Sequence, residues 1–213
     1  MQIIRLGHSC FRIQNDGTTL IIDPFEDSIG LKMPKVSADI VLSSHDHYDH
    51  ANFNAIRGES FKISTPGEYE VKDVFIYAIK SYHDDNHGQD RGENLIFFIE
   101  IEGMKLVHLG DFGQKELTQE QLKKLEGVDI LMIPVGGTFT IDAKKAAEII
   151  SILEPAMVIP MHYKELGVKL NIDPLEKFKK EIGNKMEIID KLKIKKKDLP
   201  KEETKVVVLT PQK

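Results

Sequence analysis

Short apolar runs of strand length dominate the first half of the chain, and longer runs with helical spacing join them in the second half. Residues 3–6, 10–13 and 19–22 each predict a strand, and Asn15-Asp16-Gly17 between the last two is a hairpin signal. Runs at 40–42, 61–63 and 74–79 predict further strands, and 94–102 with 105–109 predict a second hairpin turning at Gly103. Beyond them, Leu117, Leu122 and Leu125 keep the spacing of one helix face over 118–125, with Thr118 as its cap. A strand at 130–134, a helix over 143–153 opened by Asp142 and a strand at 157–160 follow. Asp173-Pro174 then starts a helix to Ile182 with proline in its first turn, and 206–209 reads as a last strand. Strands first and strand–helix alternation later predict sheets covered by helices rather than an all-β sandwich. No short-period repeat is present, and 213 residues are most economically one domain over 1–213.

Composition narrows the class. Hydrophobic residues at 41% and charged residues at 30% are an ordinary globular balance, which argues against disorder. No window approaches the ~18–20 apolar residues of a bilayer span, and the first residues carry no signal-peptide pattern, so the expectation is a cytoplasmic protein with no membrane partner. The formal net charge is -5; residues 190–213 carry +4, which leaves -9 on the rest. That acidity disfavours nucleic acid as a partner, and Lys195-Lys196-Lys197 reads as a solvated connector before the final strand. A homo-oligomer is compatible with the chain. Cys10 is the one cysteine, so neither a disulfide framework nor a Cys-x-x-Cys site exists, and a metal site has to be built from nitrogen and oxygen.

The strongest chemical signal is His45-Asp46-His47-Tyr48-Asp49-His50, just past the 40–42 strand. A His-x-His-x-Asp-His pattern arises by chance in roughly one chain in a thousand of this size and composition. In a loop, alternate His45 and His47 turn two imidazoles toward one ion, and Asp49 and His50 supply a carboxylate and an imidazole on the far side. A second regularity is independent of that motif. Asp23, His45, His83, Asp111 and His162 each follow the C-terminal end of a predicted strand. If those ends share one edge of a sheet sandwich, the five side chains meet there.

This set, with Gly110-Asp111 and Pro160-Met161-His162-Tyr163, resembles the metallo-β-lactamase superfamily in order and spacing along nearly the whole chain. The opening Gly7-His8-Ser9-Cys10-Phe11, with the same Pro160-Met161-His162-Tyr163 ending, resembles the branch containing the L-ascorbate 6-phosphate lactonases and related metal-dependent hydrolases. The resemblance implies an α/β fold, a four-layer αββα sandwich with the site at one rim. It also implies two divalent ions, zinc first, with manganese or iron as alternatives. His45, His47 and His83 would hold one ion; Asp49, His50 and His162 the other; Asp111 would bridge them; Asp23 would orient a ligand imidazole through its ring N–H. Hydroxide activated by the metal pair would then cleave an ester, lactone or phosphodiester of a small molecule. Nucleic-acid cleavage and iron-dependent oxidoreduction are the alternatives that the same superfamily supports.

Several residues admit two readings. Either His83 or His87 completes the first donor set, with the position just after the strand favouring His83. Among the catalytic candidates Asp49, Asp111 and His8, the last either lines the mouth, meeting substrate or relaying a proton, or makes a structural hydrogen bond. His108, inside a strand, reads as a hydrogen-bonded core residue. Arg91 would receive a substrate carboxylate or phosphate, or is simply a surface arginine. Gly136-Gly137-Thr138 would turn backbone N–H groups toward an anion, or is a plain turn. Phe112 is expected to make the wall after Asp111 apolar, which counts against a sugar-phosphate substrate. Cys10 reads as a small packing residue, and Ser9, with no Gly-x-Ser-x-Gly elbow around it, does not read as a nucleophile.

Overall fold

Two β-sheets lie face to face in the computed structural model, which describes residues 1–183 and 185–212. The first has six strands, in the order Leu192–Lys193, Gln2–Gly7, Cys10–Gln14, Thr19–Ile22, Ile40–Leu42 and Phe61–Ile63. The second has eight: Glu187–Ile189, Lys205–Leu209, Met157–Met161, Ile130–Pro134, Met104–His108, Glu93–Ile101, Val74–Tyr82 and Gly67–Val71. Neighbours from Met104–His108 to Glu187–Ile189 run parallel, whereas the hairpins at the other edge are antiparallel. A short parallel ribbon, Val36–Ser37 with Ile56–Arg57, stands apart from both sheets.

Side-chain alternation sorts the apolar residues into three layers. Leu20, Ile22, Ile40 and Leu42 of the first sheet meet Phe97, Leu106, Met132 and Ile159 of the second in the central core. Ile96, Val107, Leu131 and Val158 point the other way, under helices α1 (Gln119–Lys124), α2 (Ala143–Leu153) and α3 (Leu175–Glu181). Both faces of these strands are buried, which is why their sequences read as continuous apolar runs. The outer face of the first sheet, with Ile4, Leu6, Ile21 and Val41, packs on Phe25, Ile29 and Ala55. Its cover is two single 3-10 turns, Asp27–Ile29 and Phe53–Ala55, and their loops. The four-layer α/β order is therefore present, with one outer layer reduced to 3-10 turns where the sandwich expectation has α-helix.

Helix boundaries follow their caps. Thr118 Oγ1 accepts from the Gln121 N–H at 3.2 Å while Gln121 Oε1 accepts from the Thr118 N–H at 2.9 Å, closing a capping box. Asp142 accepts from the Lys145 N–H at 2.8 Å and opens α2 at the expected residue. Pro174 occupies the cap position of α3, one residue ahead of the first turn where it was expected. Strand Gly67–Val71 was not foreseen, because its two-residue turn, Lys72-Asp73, takes positive φ at both residues without glycine or asparagine. Among the described residues, no helix is long and apolar enough to cross a membrane.

Candidate metal centre

The segment after strand Ile40–Leu42 folds into a tight turn in which the His50 and Ala51 amides both donate to the His47 carbonyl at 2.9 Å. That turn lifts His45, His47, Asp49 and His50 onto one rim of the sandwich. The other strand ends bring Asp23, His83, Asp111 and His162 to the same place. Two sets of donors result: His45, His47 and His83 in one, and His8, Asp49, His50 and His162 in the other, with the ligand atoms of each set within 4.8 Å of one another. Asp111 stands between them. Its Oδ2 lies 3.3 Å from His83 Nε2 and 3.1 Å from His162 Nε2, and its Oδ1 lies 3.1 Å from His50 Nε2.

A buried network behind the donors fixes their orientation. Asp23 Oδ1 accepts from the Ser44 N–H at 2.7 Å, and Oδ2 accepts from Ser44 Oγ and His50 Nδ1, both at 2.8 Å. Ser44 Oγ in turn lies 2.9 Å from His45 Nδ1, so one carboxylate sets two imidazoles, one directly and one through a hydroxyl. Both rings thereby turn Nε2 toward the cluster. His108 accepts from the Gly110 N–H at its Nδ1 and donates from Nε2 to the Ser9 carbonyl, which makes it a neutral core residue outside the donor sets. Asn94 Oδ1 accepts from the Asp111 N–H at 2.9 Å. Gly110 takes a φ of 57°, and a Cβ there would come 2.3 Å from Asn94 Oδ1, so only glycine lets the chain turn Asp111 inward. His8, Asp23 and His162 also hold left-handed φ values of 50°, 49° and 52°, backbone strain concentrated in the cluster.

Electrostatics keep the His8, His45 and His47 imidazoles neutral and the carboxylates ionised. Burial pushes the His45 imidazole down to about 3, with His50 adding to it. Burial likewise takes His8 down to about 4, with His162 adding to it against the opposing Asp49 carboxylate 3.4 Å away. His47 is lowered by burial and by His83. Burial opposes charge on His50, yet the carboxylates of Asp111, Asp23 and Asp49 outweigh it and hold that imidazole well above its ordinary value. Burial also works against the charges of Asp111, Asp49 and Asp23, and the facing histidines overcome it, so all three sit below the usual carboxylate range.

The donor chemistry fits divalent cations. Eight buried atoms in this cluster have no hydrogen-bond partner among the described residues: both ring nitrogens of His8 and of His162, Nε2 of His45 and of His50, Nδ1 of His83, and Oδ1 of Asp111. One unpaired buried polar atom costs about 1–3 kcal/mol, so a fold does not gather several in one place without something to satisfy them. Neutral imidazoles interleaved with ionised carboxylates are what Zn²⁺ and its neighbours require of a binding site.

The remaining candidates divide. His83 is in the cluster; His87 is exposed on the loop beyond, its ring 5.7 Å from that of Tyr82 and outside both donor sets. Arg91 lines the cavity of about 430 Å³ that opens over the cluster, with Tyr48, Phe139 and Leu170 as its apolar wall. Thr138 does not line it. Its carbonyl accepts from the Arg91 guanidinium at 3.2 Å, and the Gly137 and Phe139 amides are spent on carbonyls within the turn. His8 is fully buried beneath the mouth instead of lining it. Phe112 packs into the helix-side core, so the apolar wall expected after Asp111 is absent: the left-handed turn at Gly110 sends Phe112 away from the cluster. Cys10 is buried, and burial followed by the Asp23 charge pushes its thiol well up, which makes it inert. Lys196 pairs with Asp129 at 2.6 Å instead of standing free, and Ile194 and Leu199 on either side are buried.

Reasoning from sequence missed Ser44, Asn94 and Asp84. The Asp84 carboxylate accepts from the backbone N–H groups of Asn86, Gly88, Asp90 and Arg91 at 2.7–3.1 Å, folding the loop that carries His83 at its root and Arg91 on the rim. Replacing Asp84 by alanine is expected to speed exchange of those four amides by roughly tenfold or more, since one hydrogen bond to a charged group is worth about 1.5–3 kcal/mol. Hydrogen exchange checks this, and unchanged protection would show that the loop holds itself.

Two facing sheets with helices outside, and a rim of strand-end histidines and aspartates, define a class. A family model described as a beta-lactamase superfamily domain matches residues 2–162, and the chain belongs to the metallo-β-lactamase superfamily. Within that class it is similar to a UPF0173 metal-dependent hydrolase of Thermococcus onnurineus, 32% identical over 86% of this chain and 93% of the relative. A crystal structure from Thermotoga maritima, of a protein assigned to the same superfamily, is 35% identical, with a TM-score of 0.81 and 98% of each chain covered. The fold alone is shared with a metallo hydrolase of Ignicoccus hospitalis, at 20% identity and a TM-score of 0.68, over 100% of this chain and 96% of the other.

Proposed function

We propose that the chain is a metal-dependent hydrolase that holds two divalent ions, zinc in the first place, and cleaves an ester, lactone or phosphodiester bond of a small molecule. The observation that carries this reading is the meeting of two donor sets across Asp111, with Nε2 of His45, His50 and His162 unpartnered among the described residues. His45, His47 and His83 would hold one ion, Asp49, His50 and His162 the other, and Asp111 both. When bound, such a pair lowers the pKa of water toward neutrality and polarises the oxygen under attack. The protein's own groups do the rest. Asp23 keeps His50 Nδ1 protonated and thereby its Nε2 lone pair aimed inward. Asp49, an ionised carboxylate lining the cavity, accepts a hydrogen bond from the attacking water and orients it. Arg91 on the rim receives a carboxylate or phosphate of the substrate, while Tyr48, Phe139 and Leu170 exclude water around it. The names of the UPF0173 relatives support hydrolysis. Lactones lead the substrate panel because Gly7-His8-Ser9-Cys10-Phe11 resembles the lactonase-like branch.

The test is a panel of lactones, esters and phosphodiesters with the zinc- and manganese-loaded protein. Cleavage of at least one class is expected, abolished by a chelator and restored by adding back the ion. A loaded protein that cleaves nothing in the panel would remove the proposal.

A further inference from the structure

We infer that His8 is an additional donor to the ion held by Asp49, His50 and His162, fixed in place by a buried Arg5–Glu165 clamp; this rests on the two-ion reading above. His8 is 0% exposed, and neither of its ring nitrogens has a hydrogen-bond partner among the described residues. Its Nε2 lies 3.4 Å from Asp49 Oδ2, and its ring centroid is 4.3 Å from that of His162 and 5.4 Å from that of His50. It is thus already within ligand distance of three groups that would hold one ion, and it is set below the mouth, away from arriving substrate.

The backbone shows that this placement is enforced. His8 opens the two-residue turn between strands Gln2–Gly7 and Cys10–Gln14, just past a slip of register between Arg5 and Gly7, with a left-handed φ of 50° that disfavours any residue bearing a Cβ. Both of its peptide groups are held. Arg5 Nε donates to the His8 carbonyl at 3.0 Å, and the His8 N–H donates to Glu165 Oε1 at 3.4 Å. Arg5 completes a two-pronged pair with Glu165 at 2.7 and 3.2 Å, donates to the Tyr163 hydroxyl at 3.2 Å and lies 4.7 Å over the Tyr163 ring. Tyr163 and Glu165 directly follow His162 in the chain, so the clamp locks the His8 and His162 segments together. A fully buried guanidinium is a costly way to fill space, and it is retained here where it fixes one backbone conformation. Arg5 and Glu165 are positioning residues; His8 is the group they present.

The experiment is titration of the metal-free protein with Co²⁺ and Zn²⁺ against a chromophoric chelator, with the visible absorption of bound Co²⁺ as a second readout. His8→Asn is the main variant, because asparagine tolerates a left-handed backbone and is too short to reach the ion. His8→Gly, titrated with and without added imidazole, is the second. The unsubstituted protein is expected to take up two ions. His8→Asn should keep one at unchanged affinity and bind the other at least roughly tenfold more weakly, with an altered Co²⁺ spectrum. Imidazole should recover that affinity in His8→Gly. Glu165→Gln should weaken the same ion and leave the other alone, which general loosening of the fold would not do. Two ions bound with unchanged affinities and spectrum in His8→Asn would overturn the donor role while leaving the two-ion reading intact. Fewer than two ions in the unsubstituted protein would overturn that reading and this inference with it.

Discussion

Asp111→Asn is expected to lower kcat/KM by roughly a thousandfold or more, about 4 kcal/mol of transition-state stabilisation. It is also expected to abolish the binding of at least one ion. The side chain lies within 3.1–3.3 Å of three imidazoles drawn from two donor sets, a position in which no other carboxylate of the site can replace it. Asparagine keeps the volume and the backbone hydrogen bond to Asn94 but presents one oxygen where the carboxylate presents two, and no charge. The facing histidines then lose the anion that compensates them, and the site repels cations it formerly gathered. Metal content by mass spectrometry under native conditions, alongside steady-state rates, checks both parts. Two retained ions and a near-normal rate would refute the bridging role.

Asp23→Ala should be the most destabilising single change in the site although its side chain touches neither set of open donor atoms. Three hydrogen bonds of 2.7–2.8 Å end on this one fully buried carboxylate. Truncation leaves His50 Nδ1, Ser44 Oγ and the Ser44 N–H without their buried acceptor, a loss of about 3–5 kcal/mol. For a chain of this size that corresponds to a fall in Tm on the order of 10 °C. Metal affinity should drop roughly 10- to 100-fold in parallel, because His50 and, through Ser44, His45 lose their orientation. Asp23→Asn, which keeps the shape, should lose less stability but still weaken metal binding. Thermal unfolding of the metal-free variants with chelator competition separates the two effects, and a Tm shift of only a degree or two would mean that Ser44 and His50 find other partners.

Much of the donor set could be read directly in the chain because strand ends are local features. An apolar run stops and a histidine or aspartate follows, as at Asp23, His83 and His162. The caps at Thr118 and Asp142 are local in the same sense. What escaped were relations between distant residues. Ser44 meets Asp23, Asn94 meets Asp111 and Arg5 meets Glu165, at separations of 21, 17 and 160 residues, and nothing in the spacing of the sequence announces such pairs. Direction was equally hidden. The left-handed turn at Gly110 aims Asp111 into the cluster and sends Phe112 to the helix side, and the internal bonding of the Gly137 turn leaves Thr138 off the cavity wall. The 3-10 cover of the first sheet is too short to leave a periodic signal at all.

The pairing of Gln2 and Ile3 with Lys193 and Leu192 has a kinetic consequence. The strand made first waits for one made about 190 residues later, and at about 5–20 residues per second that is a delay on the order of ten seconds or more on the ribosome. Every residue of the two donor sets lies between 8 and 162, so all of them have been synthesised before the edge of the first sheet can close. Closing so long a loop is slow in its own right. Early metal capture, by tying the 45–50 turn to His83 and His162, would hold the two sheets in register while that last edge remains open.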